Sequence, residues 1–168
     1  MRSPQPSDAE LILKLYEIRR DPELRIARKW FLTDFNATSW AEIKSRYLSH
    51  SDEDRYFRMV VSYWEMVATL VNHGLIHPEV FFDHSGEHIV TWDRCKPWIA
   101  EARAALRPTY LYQFEKLVAD HLEFRKRTIA AFVANGAVNG AAPAKSAPAP
   151  KLARVAKAPR VARAKRRT

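Results

Sequence analysis

The sequence predicts an all-α fold, an irregular or orthogonal bundle of six to eight helices that ends in a disordered basic C-terminal tail. Helix start and stop signals recur along the 168 residues, and apolar residues follow a helical period. No alternating run of β-branched residues lies between turn signals, so no sheet is predicted. We expect a flexible N-terminus at 1–7, a helical domain at 8–133 and a tail at 134–168.

The first helix is predicted from a capping box. Ser7 and Glu10 have the spacing at which each side chain satisfies a backbone N–H at a helix start. Leu11, Leu15 and Ile18 then recur at helical spacing. We therefore predict that these three side chains form the buried face of this helix.

Two further helices precede residue 50. Asp21 is the expected N-cap of the second, because Pro22 suits the first helical position, and Asn36 ends it. A short third helix starts at Thr38 or Ser39. It ends before the polar residues that follow Leu48.

The strongest predicted helix runs from Asp52 to Asn72. Acidic residues load its first turn, and Gly74 follows as a C-terminal stop. Apolar residues cover most of its circumference, which is typical of a central helix. One narrow polar stripe remains, and it consists of Arg58, Ser62, Glu65, Thr69 and Asn72.

The remaining helices are separated by proline and glycine. Pro78 opens one that breaks near Gly86. A longer one follows, where Pro97 is expected to introduce a kink or a new start. The last is predicted from about Tyr110 to Val133.

The net charge of +9 belongs entirely to the tail. The chain has 28 Lys and Arg against 19 Asp and Glu, and residues 1–133 are formally neutral. A segment of this composition cannot bury enough apolar surface to fold, but it suits non-specific contacts with nucleic acid that weaken as salt rises. The alternative is a solubilising or incidental extension. Its cations are Lys145, Lys151, Arg154, Lys157, Arg160, Arg163, Lys165, Arg166 and Arg167.

The polar stripe supplies the candidate site. Glu65 lies beside Trp64 on the helix expected to be central, and a buried carboxylate needs a partner. Arg25, Arg28 and Arg103 are the expected partners. The favoured interpretation is a hydrogen-bonded core network, and the alternative is the floor of a ligand pocket with Glu65 as its polar anchor. Both use Ser62, Trp64, Glu65, Thr69 and Asn72.

Residues 73–88 contain the one cluster with metal-like spacing. Within it, His84 and His88 are four residues apart and would share a helix face. Capping, surface and turn roles are favoured over ligation because Gly74 and Gly86 interrupt the segment. We predict no metal and no cofactor. The single cysteine, Cys95, has no partner for a disulfide or a Cys-based zinc site.

No apolar run is long enough to span a membrane, and no signal segment precedes residue 10. We therefore expect a cytoplasmic protein without a membrane span.

Several blocks resemble a family of small bacterial all-helical proteins whose domain has no known function. They are residues 30–32 (Trp-Phe-Leu), 63–65 (Tyr-Trp-Glu), 71–76 (Val-Asn-His-Gly-Leu-Ile) and 96–99 (Lys-Pro-Trp-Ile). The resemblance covers about residues 8 to 125 and implies the helical fold but no activity, cofactor or catalytic residue.

The sequence therefore predicts a helical interaction module that binds a protein partner, with tail contacts to nucleic acid. The alternative is a small-ligand-binding or metal-dependent enzymatic domain, centred on Trp64 and Glu65 or on the segment from His73 to His88.

Overall fold

A computed structural model describes residues 2–48 and 50–138 of the chain. These residues form eight α-helices and no strand, which confirms the all-α prediction. The helices are α1 (Pro6–Arg19), α2 (Pro22–Thr33), α3 (Trp40–Arg46), α4 (Asp52–Asn72), α5 (Pro78–His84), α6 (Glu87–Asp93), α7 (Ile99–Ala105) and α8 (Tyr112–Val138).

Helix α4 is the central element, as predicted, and its bounds are those expected from the sequence. It packs against α2 and against α8, which form the most extensive helix pairings of the fold. The Ser51 hydroxyl accepts a hydrogen bond from the Asp54 N–H at 3.3 Å and caps the start. Gly74 follows the end with a φ of +72°, a conformation that favours glycine.

The starts of α2 and α3 are also confirmed. Asp21 Oδ1 accepts a hydrogen bond from the Leu24 N–H at 3.0 Å, and Ser39 Oγ accepts one from the Glu42 N–H at 3.2 Å. Helix α2 ends at Thr33 rather than at Asn36. The apolar period continues past the helix end because Phe35, beyond it, is still fully buried.

The predicted capping box of α1 is wrong. The helix begins at Pro6, and the Asp8 carboxylate reaches back to accept a hydrogen bond from the Gln5 N–H at 2.6 Å. The same carboxylate accepts the His77 N–H at 2.8 Å and pairs with the Arg2 guanidinium. These hydrogen bonds, that of Arg2 foremost, hold the pKa of Asp8 far below its usual value.

The buried face of α1 also differs from the prediction. Asp8, Ile12 and Leu15 are buried, whereas Leu11 and Ile18 are exposed. The face rotates because the ion pair of Asp8 places a carboxylate, rather than an apolar side chain, against the rest of the fold.

The N-terminal segment, predicted to be flexible at residues 1–7, makes specific contacts where it is described. Arg2 donates through Nε to the Gly74 carbonyl at 3.2 Å, and Pro6 and Ser7 already belong to α1. Arg2 thus connects the chain before α1 to the end of α4.

Pro97 lies between two separate helices, α6 and α7. Of the two expectations, a kink or a new start, the new start is therefore confirmed. Trp98, next to it, is fully buried and lies against Phe57 and Trp40, with ring centroids 5.6 and 6.0 Å apart. The turn between Pro97 and α7 therefore places a large aromatic side chain in the core.

Helix α8 differs from the prediction at both ends. It starts at Tyr112 rather than Tyr110, after Leu111 with a φ of +52°. It continues to Val138, so residues 134–138, assigned above to the tail, are helical. The rest of the predicted disordered tail, with all nine of its cations, lies outside the described residues.

Candidate functional site

The predicted polar stripe of α4 faces the start of α8. The Glu65 carboxylate accepts hydrogen bonds from the Phe114 N–H at 2.8 Å and from the Gln113 N–H at 3.3 Å. Asn72 Nδ2 donates to the Gln113 carbonyl at 2.9 Å and to its side-chain oxygen at 2.8 Å. The stripe therefore docks α8 onto α4 and caps the α8 N-terminus from another helix.

Three members of the stripe do not join this contact. Arg58 Nε donates to the Asp54 carboxylate within α4. Thr69 Oγ1 donates to the Glu65 carbonyl, and Ser62 Oγ donates to the Met59 carbonyl, both within α4. The predicted network of side chains along α4 is therefore replaced by one bridge between helices, made by Glu65 and Asn72.

The predicted arginine partners of Glu65 are wrong. Arg28 binds Glu87, and Arg103 pairs with Glu115 at 2.8 Å. Arg25 lies on α2 in a pocket with three other arginines. A helix N-terminus can replace an arginine as the partner because its free N–H groups and its dipole both favour a carboxylate.

Replacing Glu65 with Gln should lower the free energy of unfolding by about 1 kcal/mol, because the amide retains an acceptor but loses the charge that favours the helix N-terminus. Urea unfolding measures the change. Ser62→Ala, on the exposed part of the same stripe, serves as the control and should change stability by less than about 0.5 kcal/mol.

Trp64 and Glu65 belong to different concavities, so the single pocket predicted around them is not formed. Glu65 borders an open groove of about 530 Å³ that Arg58 and Arg107 also line. Trp64 is 1% exposed and lines a smaller cavity of about 80 Å³ on the α1 side. The Trp64 ring stacks on Phe114 with centroids 6.2 Å apart.

The two histidines predicted as metal candidates do not converge. His84 is exposed, with its Nδ1 3.0 Å from the Val80 carbonyl, while His88 is fully buried. Within residues 2–48 and 50–138, no three His, Cys, Asp or Glu side chains are grouped as metal ligands would be. The break at Gly86 separates the two rings because it starts a new helix between them.

A buried histidine pair was not predicted from the sequence. His88 Nε2 lies 2.8 Å from His121 Nδ1, and Arg125 Nε donates to His121 Nε2 at 3.1 Å. Because the guanidinium can only donate, His121 Nε2 accepts and His121 Nδ1 carries the proton. His88 Nε2 then accepts, which leaves the proton of His88 on Nδ1, a buried atom without a partner among the described residues.

Both histidines are neutral at physiological pH. Burial, followed by the neighbouring His121 and Arg125, lowers the pKa of His88 to about 3. Burial and Arg125 lower the pKa of His121 to about 4, partly opposed by Asp83. The pair is therefore a polar core contact in which protonation of either ring is disfavoured.

Glu87 anchors a cluster of arginines where α1, α2 and α6 meet. It accepts from Arg28 Nε at 2.6 Å and from Arg19 Nη2 at 2.7 Å. Burial raises the pKa of Glu87, but the two guanidinium groups outweigh it and the net shift is downward. Arg28 Nη1 also donates to the Arg19 carbonyl at 3.1 Å, which fixes the end of α1 against α2.

Four arginines border one open pocket of about 470 Å³ at this junction. They are Arg19, Arg20, Arg25 and Arg28, and Tyr16 completes the lining. The sequence signal was present, since four arginines lie within ten residues around the turn at Asp21. Their convergence could not be read from spacing because it depends on Glu87, 59 residues beyond Arg28.

Cys95 is fully buried, and burial strongly raises the pKa of its thiol. A thiolate is therefore disfavoured at this position. Among the helices that the structure describes, none combines the length and the apolar character that crossing a bilayer requires.

Comparison with known proteins gives a family for the chain. A family model described as Domain of unknown function (DUF4760) matches residues 4–121. No curated protein and no solved structure matches the chain. The match spans α1 to the first part of α8, including the histidine pair and the arginine cluster, and confirms the predicted resemblance to a helical family without a known function. The chain therefore belongs to the DUF4760 family, a domain of unknown function.

Proposed function

We propose that this protein is a helical interaction module and that the second half of α8 is its docking element. The observation that carries the proposal is the exposure of this half. Every residue from 125 to 136 is exposed, although α8 continues as a helix to Val138. This segment also follows the residues that the family model matches.

An apolar stripe runs along the exposed half of α8. Ile129, Phe132 and Val133 are 63%, 78% and 62% exposed, and their spacing of three and four residues places them on one helix face. A helix face of this kind is suited to an apolar groove on a partner, in which its side chains act as anchors. A membrane surface is less well matched, because membrane binding calls for a broad apolar face.

Charge favours a different protein over a second copy of this chain. Arg125, Lys126 and Arg127 precede the stripe, and the nine cations of the sequence tail follow it. Two copies aligned on this face would bring like charges together. The occupant that we propose is a protein with an apolar groove and an acidic rim, which would gain from both the stripe and its flanking charges.

Phe132→Asp should weaken binding of such a partner by about tenfold or more, because it places a charge where an aromatic side chain would be buried. The first step is capture of the partner from a lysate of the source cell. The lysate is treated with nuclease, so that nucleic acid bound to the tail cannot link the protein to other proteins. The captured protein is then purified, and its affinity is measured at rising salt. Leu13→Asp, at a position 63% exposed on α1, is the matched control.

The proposal is supported if the purified partner binds Phe132→Asp more weakly than the wild type and binds Leu13→Asp as tightly as the wild type. Its affinity for the wild type should also fall as the salt concentration rises. Equal binding by both variants would contradict the proposal. Two other results would also contradict the proposal. One is a wild-type dimer that Phe132→Asp dissociates, and the other is a dependence on Phe132 that is seen only for binding to anionic vesicles.

The proposal also includes a contact between the tail and nucleic acid. We infer from its nine cations, without an acidic residue among them, that it adds non-specific attraction to nucleic acid. The alternative function, a metal-dependent enzyme or a pocket built on Trp64 and Glu65, has less support because the side chains that it needs diverge.

A further inference from the structure

The cavity beside Trp64 adjoins the arginine pocket. Tyr16 and Arg19 line both, and the cavity of about 80 Å³ continues inward to Trp64 and Tyr63. A water molecule occupies roughly 30 Å³ in the liquid. The cavity therefore has room for a group of a few heavy atoms, and the outer pocket for the rest of a small molecule.

Two side chains that line the cavity carry buried donors without an acceptor among the described residues. They are the Trp64 Nε1–H and the Arg19 Nε–H. Arg19 Nη2 is already used by Glu87, and the Arg19 guanidinium carbon lies 5.7 Å from the Trp64 ring centroid. Both groups can only donate, so only an acceptor can satisfy them.

A third unpartnered donor lies near the same tryptophan. His88 carries its proton on Nδ1, and the His88 and Trp64 ring centroids are 5.5 Å apart. Buried donors without partners are rare in folded proteins and call for a specific explanation. Three such donors therefore lie near one ring, and none of them has an acceptor among the described residues.

The pocket also carries positive charge that the fold does not neutralise. Glu87 is shared by Arg19 and Arg28. Arg20 and Arg25 are exposed, and neither forms an ion pair in the part of the chain that the structure describes. A ligand that brings acceptor oxygens together with negative charge would complement both the donors and the arginines.

We propose that the cavity and the arginine pocket together bind a small oxyanion, a carboxylate or a phosphate, at Arg19 and Trp64. Its oxygens accept from Arg19 Nε and Trp64 Nε1, and Arg20 and Arg25 supply the balancing charge. Charge-assisted hydrogen bonds of this kind are among the stronger ones in proteins. The carbon part of an organic anion would lie against the apolar wall that Ile12, Leu15 and Phe81 form.

Titration calorimetry on the full chain tests the proposal with four probes: inorganic phosphate, acetate, benzoate and the uncharged acetamide. We expect the anions to bind and acetamide not to bind. Arg25→Ala should weaken anion binding by about tenfold, because it removes one of the two positive charges that balance the bound anion. Trp64→Phe should weaken it as well, because it removes the indole donor and keeps an aromatic ring.

Lys29→Ala is the matched control, because Lys29 is exposed on the same helix, carries the same charge and does not line the pocket. Its affinity should equal that of the wild type. Arg20→Ala provides a second exposed test that does not depend on whether Trp64→Phe folds, and circular dichroism checks the fold of each variant.

The three anionic probes distinguish a carboxylate ligand from a phosphate ligand. Tighter binding of benzoate than of acetate identifies an organic carboxylate whose carbon part enters the cavity, and tightest binding of phosphate identifies a phosphate. The proposal is overturned if no anion binds at millimolar concentration, if acetamide binds as well as acetate, or if Arg20→Ala and Arg25→Ala behave like Lys29→Ala.

Discussion

Glu87→Ala is expected to lower the free energy of unfolding by about 3 kcal/mol. The Glu87 side chain is 18% exposed, as is that of Arg28, and Arg19 is 23% exposed. Removing the carboxylate leaves two largely desolvated guanidinium groups without their anion, and the loss of one partner of a buried ion pair costs several kcal/mol. The helix contacts that Glu87 organises, between α6 and the α1–α2 turn, weaken with it.

Urea unfolding followed by circular dichroism measures this change, and an unaltered slope shows that the transition remains cooperative. Glu17→Ala is the matched control. Glu17 pairs with Lys14, but both side chains are about two-thirds exposed, so the loss should stay below about 0.5 kcal/mol. If Glu87→Ala unfolds at the same urea concentration as Glu17→Ala, the arginine cluster is not held by Glu87.

The helices that carry local signals could be predicted from the sequence. Helix α4 has its predicted bounds because an acidic first turn and Gly74 each act within one turn of the chain. Asp21 and Ser39 cap α2 and α3 for the same reason. Each of these signals involves residues at most four positions apart, which a sequence pattern captures.

Helix α1 shows where such patterns fail. Ser7 and Glu10 match the capping pattern, but Asp8 outcompetes them because Arg2 and the His77 N–H, 69 residues away, both bind its carboxylate. Together these contacts move the helix start to Pro6. They also turn Leu11 and Ile18 towards the exterior.

The candidate site depends almost entirely on contacts of this distant kind. The sequence identifies Glu65 as a carboxylate that needs a partner, but its partners are backbone N–H groups 48 and 49 residues away. Sequence spacing groups His88 with its neighbours in the chain, whereas its contact is His121 on α8. A residue type shows which kind of hydrogen-bond or ion-pair partner a buried side chain requires. Which residue supplies that partner depends on how the helices pack.

The histidine pair should make the fold sensitive to acid. Both pKa values are lowered in the folded protein, to about 3 and about 4, against an ordinary value of about 6.5. Below pH 6.5 the unfolded chain therefore binds protons that the folded protein does not. Stability is retained above that pH and is lost as pH falls, by about 2 kcal/mol for each histidine between pH 7 and pH 5.

Urea midpoints of the wild type at pH 7 and pH 5 measure this loss, in a range where carboxylates contribute little because they ionise at lower pH. His121→Gln removes one of the two titrating rings, so its stability should fall about half as much over the same range, whatever its stability at pH 7. His73→Gln is the control, because His73 is exposed and should leave the wild-type pH dependence unchanged. A wild type equally stable at both pH values would show that the pair accepts a proton without cost. That result would contradict the buried, neutral arrangement from which the unpartnered His88 donor was deduced.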